Sequence, residues 1–172
     1  MAPNISGGLV MSASKGRIYG IGITTLLTLA VVGVVPARAQ AQAQVTLGGE
    51  IRARLNDKCL DIRDQNPNNG AKVQVWDCWS GANQRWYWTG GQIRSALNGK
   101  CLDIRDQNPN NGAKVQMWSC WSGANQRWYR YGEQIRSSLN GKCLDIRDGD
   151  PNNGATVQMW SCWSGVNQRW YF

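Results

Sequence analysis

The chain has 172 residues, with 19 Lys and Arg against 11 Asp and Glu, six Cys, ten Trp and no His. The missing histidine excludes a Ser-His-Asp or Cys-His nucleophile, a His-ligated zinc and a near-neutral imidazole acid or base. Only Glu50 and Glu133 are glutamates, so any carboxylate chemistry rests on Asp, and ten Trp beside a single Phe is far from ordinary usage.

Met1 to Arg17 is polar, holds no acid and ends in Lys15 and Arg17; an apolar run follows from Ile18 to Val35, and then Pro36-Ala37-Arg38-Ala39. A basic region, an apolar region and an Ala-x-Ala site form the order of a secretory signal, so residues 1–39 are expected to be a signal peptide cleaved after Ala39. The apolar run is also just long enough to span a bilayer, which makes an uncleaved anchor the alternative. Loss of Lys15, Arg17 and Arg38 takes the 19 bases to 16 against the same 11 acids, a net charge of +5. A modest excess spread over a whole domain reads as a solvated surface. No nucleic-acid partner is expected, nor a membrane once the signal is removed. Residues 40–45 read as an Ala/Gln linker and 46–172 as one domain, secreted to the outside or the periplasm.

The domain is one unit written three times, over about 46–88, 89–130 and 131–172. Cys59, Cys101 and Cys143 are spaced by 42, as are Cys78, Cys120 and Cys162. The 28 residues from Cys59 to Trp86 match those from Cys101 to Trp128 at 26 positions, and the second and third copies match at 24. Nine of the ten Trp fall at repeated positions. Pro, Asn-Asn-Gly and Ser-Gly within each copy break any long helix, and three units are too few for a propeller. Each copy reads as four short strands, in the second Gln92–Ser95, Cys101–Arg105, Val115–Cys120 and Gln126–Arg130. Asn98-Gly99 and Asn140-Gly141 are hairpin turns. The expected fold is a closed all-β body with threefold pseudosymmetry.

Six Cys in an exported chain imply disulfides, and two pairings respect the repeat: within a copy or between neighbouring copies. The within-copy choice places Cys59 opposite Cys78, Asp61 opposite Trp76 and Arg63 opposite Gln74 in an antiparallel hairpin, with directly opposed Cβ atoms roughly 4.5–5.5 Å apart. Strand alternation then sends Leu60, Ile62, Val73 and Val75 to a core face. The other face carries Asp61, Gln74 and Trp76, while Trp86 reads as core. A carboxylate beside an indole, with Asn83-Gln84 nearby, suits a sugar: the ring's C–H face stacks on Trp and its hydroxyls donate to the carboxylate in charge-assisted bonds. Amides donate and accept together, as hydroxyls do.

The copies CLDI…VQVWDCWSGANQRW, CLDI…VQMWSCWSGANQRW and CLDI…VQMWSCWSGVNQRW each hold a Gln-x-Trp signature, Gln84-Arg85-Trp86, Gln126-Arg127-Trp128 and Gln168-Arg169-Trp170. The chain therefore resembles the ricin B-type β-trefoil lectins, also classed as carbohydrate-binding modules of family 13, over about residues 46–172. That resemblance implies a twelve-stranded β-trefoil with within-copy disulfides Cys59–Cys78, Cys101–Cys120 and Cys143–Cys162. It implies that Asp61, Asp103 and Asp145 bind sugar hydroxyls and that Trp76, Trp118 and Trp160 are stacking platforms. Asn83, Asn125 and Asn167 would donate to a hydroxyl, with Gln74, Gln116 and Gln158 at the pocket edge. Gln84, Gln126 and Gln168 would orient the Asp.

Three departures stand out. Trp79, Trp121 and Trp163 occupy a rim position where relatives often carry a polar residue. Gly149-Asp150 replaces Gln65-Asn66 in the third copy, and Asn56-Asp57 stands in the first where the others have Asn-Gly. Asp64-x-Asn66-x-Asn68-Asn69-Gly70 only faintly resembles a calcium loop, since Val75 stands where the bidentate Glu belongs, so no metal and no cofactor is expected. Threefold repetition gives no asymmetric acid pair for glycoside hydrolysis, and the chain is not expected to be an enzyme. The expected function is that of a secreted, monomeric lectin with three equivalent pockets for galactose-type terminal sugars, acting by avidity on glycans. The alternatives are a xylan-type polysaccharide-targeting module without its enzyme, and a non-carbohydrate trefoil such as a protease inhibitor.

Overall fold

The structure, a computed structural model, describes residues 48–172; the signal peptide and the linker expected before them lie outside the described residues. Thirteen short strands form it: β1 Gly49–Glu50, β2 Arg52–Ala53, β3 Cys59–Ile62, β4 Val73–Trp76, β5 Arg85–Thr89, β6 Gln92–Ser95, β7 Cys101–Ile104, β8 Ala113–Trp118, β9 Trp128–Tyr131, β10 Gln134–Ser137, β11 Cys143–Ile146, β12 Val157–Trp160 and β13 Trp170–Tyr171. The count exceeds twelve because the first copy's opening strand is interrupted at buried Ile51, where the chain passes from pairing with β5 to pairing with β3 and β13. In the second copy the strand expected to start at Gln126 starts at Trp128, because Ala124–Gln126 is a 3-10 turn; likewise β7 ends at Ile104 because Arg105 opens another.

All pairing is antiparallel, and the carboxyl-terminal β13 returns to β2 and closes the body. This is the all-β trefoil. Around its pseudo-threefold axis β4, β8 and β12 meet: β12 pairs with β8, and single bridges join Lys72 to Gln116 and Gln74 to Thr156. The aliphatic face of each hairpin fills the core with Leu60, Leu102 and Leu144, Ile62, Ile104 and Ile146, and their partners from β4, β8 and β12. Trp86, Trp128 and Trp170 complete it at 2 % exposure or less. Each core indole donates Nε1–H to the carbonyl of the β-strand leucine of its own copy, at 2.9–3.0 Å, so the one polar atom of a buried ring is satisfied.

The three disulfides close within copies, with Cα separations of 5.2, 5.1 and 5.1 Å. The expected register does not hold. Cys59 faces Trp76, Asp61 faces Gln74 and Ile62 faces Val73, a slip of two residues from Cys59 opposite Cys78 and Asp61 opposite Trp76. Cys78 lies past the end of β4, and the disulfide reaches back to Cys59 diagonally. Because side chains alternate with period two, a two-residue slip leaves every residue on its expected face. The other two hairpins repeat this register.

Candidate functional site

On the outer side of each hairpin a buried Asp is the hub of an amide network. Asp61 is 3 % exposed. Its Oδ1 accepts from Gln74 Nε2 at 2.9 Å, and its Oδ2 accepts from Asn83 Nδ2 at 2.7 Å and Gln84 Nε2 at 2.9 Å. Asp103 and Asp145 have the same three partners from their own copies. Burial lifts each carboxyl above the usual carboxylate range, and the amide donors offset that only partly. A carboxylate offers about four lone-pair sites, so three amides leave about one on Oδ1 for a ligand.

The amides divide into two kinds. Gln84, Gln126 and Gln168 are fully buried; each Oε1 accepts the backbone N–H of the Trp five residues earlier, Trp79, Trp121 or Trp163, at 2.9 Å. Each Nε2 also donates to a backbone carbonyl, so these side chains tie the Asp to the loop that carries the rim Trp. Asn83, Asn125 and Asn167 correct the expectation that they donate to a ligand. Their Nδ2 groups are committed to the Asp and to the carbonyl of Ile62, Ile104 or Ile146 at 3.1–3.2 Å. The uncommitted atom is the acceptor: Asn83 Oδ1 and Asn125 Oδ1 are buried without a partner. An orphaned acceptor in a cleft suits a ligand that brings hydroxyl donors.

Two indoles stand over this network. Trp76, Trp118 and Trp160 are each 41 % exposed at the ends of β4, β8 and β12. Trp79, Trp121 and Trp163 are at least as exposed and line the same three clefts. Gly81, Gly123 and Gly165 make room for them. Gly123 has φ −65° and ψ 149°, which any residue adopts, yet a Cβ there would lie 2.2 Å from the Trp121 ring and 2.5 Å from Asn125 Oδ1. The glycine is needed for space and not for backbone freedom. Gly123→Ala should therefore push the rim indole aside and weaken ligand binding at the second cleft roughly tenfold, with the fold intact; titration of that variant against the unmodified protein checks it.

Three contributors escaped the sequence reading. Asp64, Asp106 and Asp148 line the clefts, held at φ near 57° in the left-handed region. The next residue is left-handed as well, and Gln65 and Gln107 carry that strain while Gly149 relieves it. Gly70, from the first copy, reaches into the second cleft, because Asn69 Oδ1 accepts from the N–H of Ser119 at 3.0 Å; Asn111 and Asn153 bind Ser161 and Asp77 in the same way. No spacing within a copy signals this, since it arises where copies meet. The loop that faintly resembled a calcium site turns its oxygens to other work: Asp64 faces Arg63, and Asn66 Oδ1 accepts the Asn68 N–H.

The three clefts share one set of Asp, amides and indoles and differ in their outer walls. The first encloses about 190 Å³, the second about 370 Å³ and the third about 450 Å³. Gly149 removes the side chain that Gln65 and Gln107 place there, and Leu55 and Val166 make the third wall more apolar.

A sequence profile of the ricin-type beta-trefoil lectin domain matches residues 47–171. The chain belongs to that family. The domain is a carbohydrate-binding, non-catalytic module, and this lectin is a glycan-binding protein. Among solved structures it is similar to the C-half of an earthworm R-type lectin in complex with GalNAc, at 30 % identity and TM-score 0.63, over 71 % of this chain and 94 % of that one. It is similar also to ThreeFoil, a designed 3-fold symmetric protein, at 29 % identity and TM-score 0.66, over 70 % and 94 %. The exo-beta-1,3-galactanase 1,3Gal43A from Clostridium thermocellum matches at 27 % identity and TM-score 0.67, over 73 % of this chain but 29 % of the enzyme.

Proposed function

We propose that this chain is a secreted, non-enzymatic lectin that holds galactose-type terminal sugars in three clefts and gains its useful affinity from several clefts engaging one glycan surface. The observation that carries the reading is the repeated set of an Asp with one free acceptor site, an Asn with an uncommitted Oδ1 and two exposed indoles. Neighbouring hydroxyls of a sugar donate to Asp Oδ1 and Asn Oδ1, while the ring's C–H face lies on Trp76, Trp118 or Trp160. N-acetylgalactosamine is the first ligand to try, because the earthworm lectin was solved with it. Three disulfides fit an oxidising compartment outside the cell. A glycan array with terminal galactose and N-acetylgalactosamine tests the reading; no signal on either would overturn the sugar preference.

The second reading is a polysaccharide-targeting module, and the paired indoles favour it: Trp76 with Trp79 offers two platforms to consecutive residues of a chain. Pull-down on insoluble xylan, with soluble galactose as competitor, separates the two. Retention that galactose fails to release assigns the chain ligand.

Acid should release the ligand before it unfolds the protein. Binding uses the ionised carboxylate, and burial raises the pKa of Asp61, Asp103 and Asp145. Affinity therefore falls as pH drops through a window above the usual carboxylate range. In that window the folded state holds more protons than the unfolded chain, so the contribution of these groups to stability rises as pH falls. Asp77, lowered by Lys58 and Asn153, has the opposite sign and loses its contribution only at still lower pH. Elution from a sugar column, beside circular dichroism over the same pH series, checks the order; unfolding before elution would contradict it.

A further inference from the structure

Where the three copies meet lies a further cavity of about 240 Å³, which borders the sugar clefts through Gln74, Gln116 and Gln158 and shares Gly70 and Arg105 with the second. Its lining brings Arg63, Arg105 and Arg147 together with Lys72 and Lys114, and no carboxylate lines it. Thr156 occupies the third copy's lysine position. Each arginine meets the following aspartate through Nε at 3.3–3.5 Å, a largely exposed contact worth little. Those aspartates line the sugar clefts, and Arg105 lines the second cleft with Asp106. Among the described residues, Lys72 and Lys114 have no acidic partner, and the three arginines make no side-chain hydrogen bond beyond those Nε contacts.

The three aspartates offset three of the five cations, which leaves Lys72 and Lys114 beside them as an excess of positive charge that a bound anion would neutralise. We infer that the axial cavity binds one multiply charged oxyanion, a sulfate or phosphate group, held by the arginine forks with Lys72 and Lys114 as point charges. Planar guanidinium groups match tetrahedral oxyanions in bidentate fashion. The group can come as a free inorganic ion or as a sulfate ester on a polysaccharide. The site stands whether or not the sugar reading holds, because none of Lys72, Lys114 and Thr156 lines a sugar cleft.

The third copy supplies a fold-safe test, since it already carries Thr where the others carry Lys. Calorimetric titration with pyrophosphate at low ionic strength should show one ion per chain. Lys72→Thr with Lys114→Thr should weaken it roughly tenfold, and Thr156→Lys should tighten it roughly threefold, with the effect fading as salt screens it. Dextran sulfate, run beside neutral dextran, distinguishes the sources: retention that follows the same order of variants while pyrophosphate fails to bind assigns the sulfate ester. Thermal melts of all variants serve as the folding control. If neither probe binds, or if binding is indifferent to the lysine substitutions and to Thr156→Lys, the axial site is refuted.

Discussion

Trp128→Ala should lower the free energy of unfolding by about 3–5 kcal/mol, as truncation of a large core side chain does, whereas Trp118→Ala should change it by about 1 kcal/mol or less. Both are tryptophans in one copy, and hydrophobicity does not separate them. Their surroundings do. Trp128 is 2 % exposed inside the shared core, and its Nε1–H satisfies the Leu102 carbonyl at 3.0 Å. Removal leaves a cavity and a buried acceptor without its donor, and each adds to the loss. Trp118 is 41 % exposed over the second cleft and makes no side-chain hydrogen bond. Urea unfolding of the two variants, with sugar binding measured in parallel, gives the comparison. Equal stability losses would mean that the outward hairpin face contributes to the core.

That contrast was legible in the sequence, Trp118 from strand alternation and Trp128 from its place in the Gln-x-Trp signature. Trp118 shares parity with Gln116 and Trp128 closes the copy after the turn. The hairpin register was not legible, for the same reason: alternation is blind to a slip of two, so Asp61 opposite Trp76 and Asp61 opposite Gln74 predict identical faces. The atoms of Asn83 were also beyond sequence. An amide both donates and accepts, and only the nearness of Asp61 Oδ2 and the Ile62 carbonyl determines that its N–H groups are committed inward. The left-handed pair at Asp64 and Gln65 carries no glycine to announce it; Gly149 in the third copy was the available hint. Contributions across copies, such as Gly70 in the second cleft or the five cations on the axis, depend on how the repeats assemble, and a pattern within one repeat holds no trace of them.

Removing one of three clefts should weaken binding to a multivalent glycan surface by more than tenfold while lowering monosaccharide stoichiometry only from about three to about two. Millimolar binding of a single sugar is only about −4 kcal/mol, a fair figure for a shallow cleft with one free carboxylate site. Simultaneous engagement can add roughly a hundredfold to ten-thousandfold, so each cleft lost removes a multiplicative factor and not a third of the signal. Trp118→Ala is the appropriate knock-out. Asp103→Ala would strand the N–H groups of Gln116, Asn125 and Gln126 that now converge on it, mixing a stability loss of roughly 1–3 kcal/mol into the result. The second cleft also isolates the question of equivalence. Its loss leaves the first, at about 190 Å³, and the third, at about 450 Å³ with Gly149, Leu55 and Val166 in its wall. The two remaining sites should then titrate with distinguishable affinities, the third tolerating a bulkier sugar substituent. Calorimetry with N-acetylgalactosamine counts the sites, and agglutination or surface plasmon resonance on a glycan-coated chip reads the avidity. A stoichiometry of one for the unmodified lectin, or a chip signal that falls only by a third in Trp118→Ala, would mean that the clefts act singly and that affinity must come from a longer ligand lying across both indoles of one cleft.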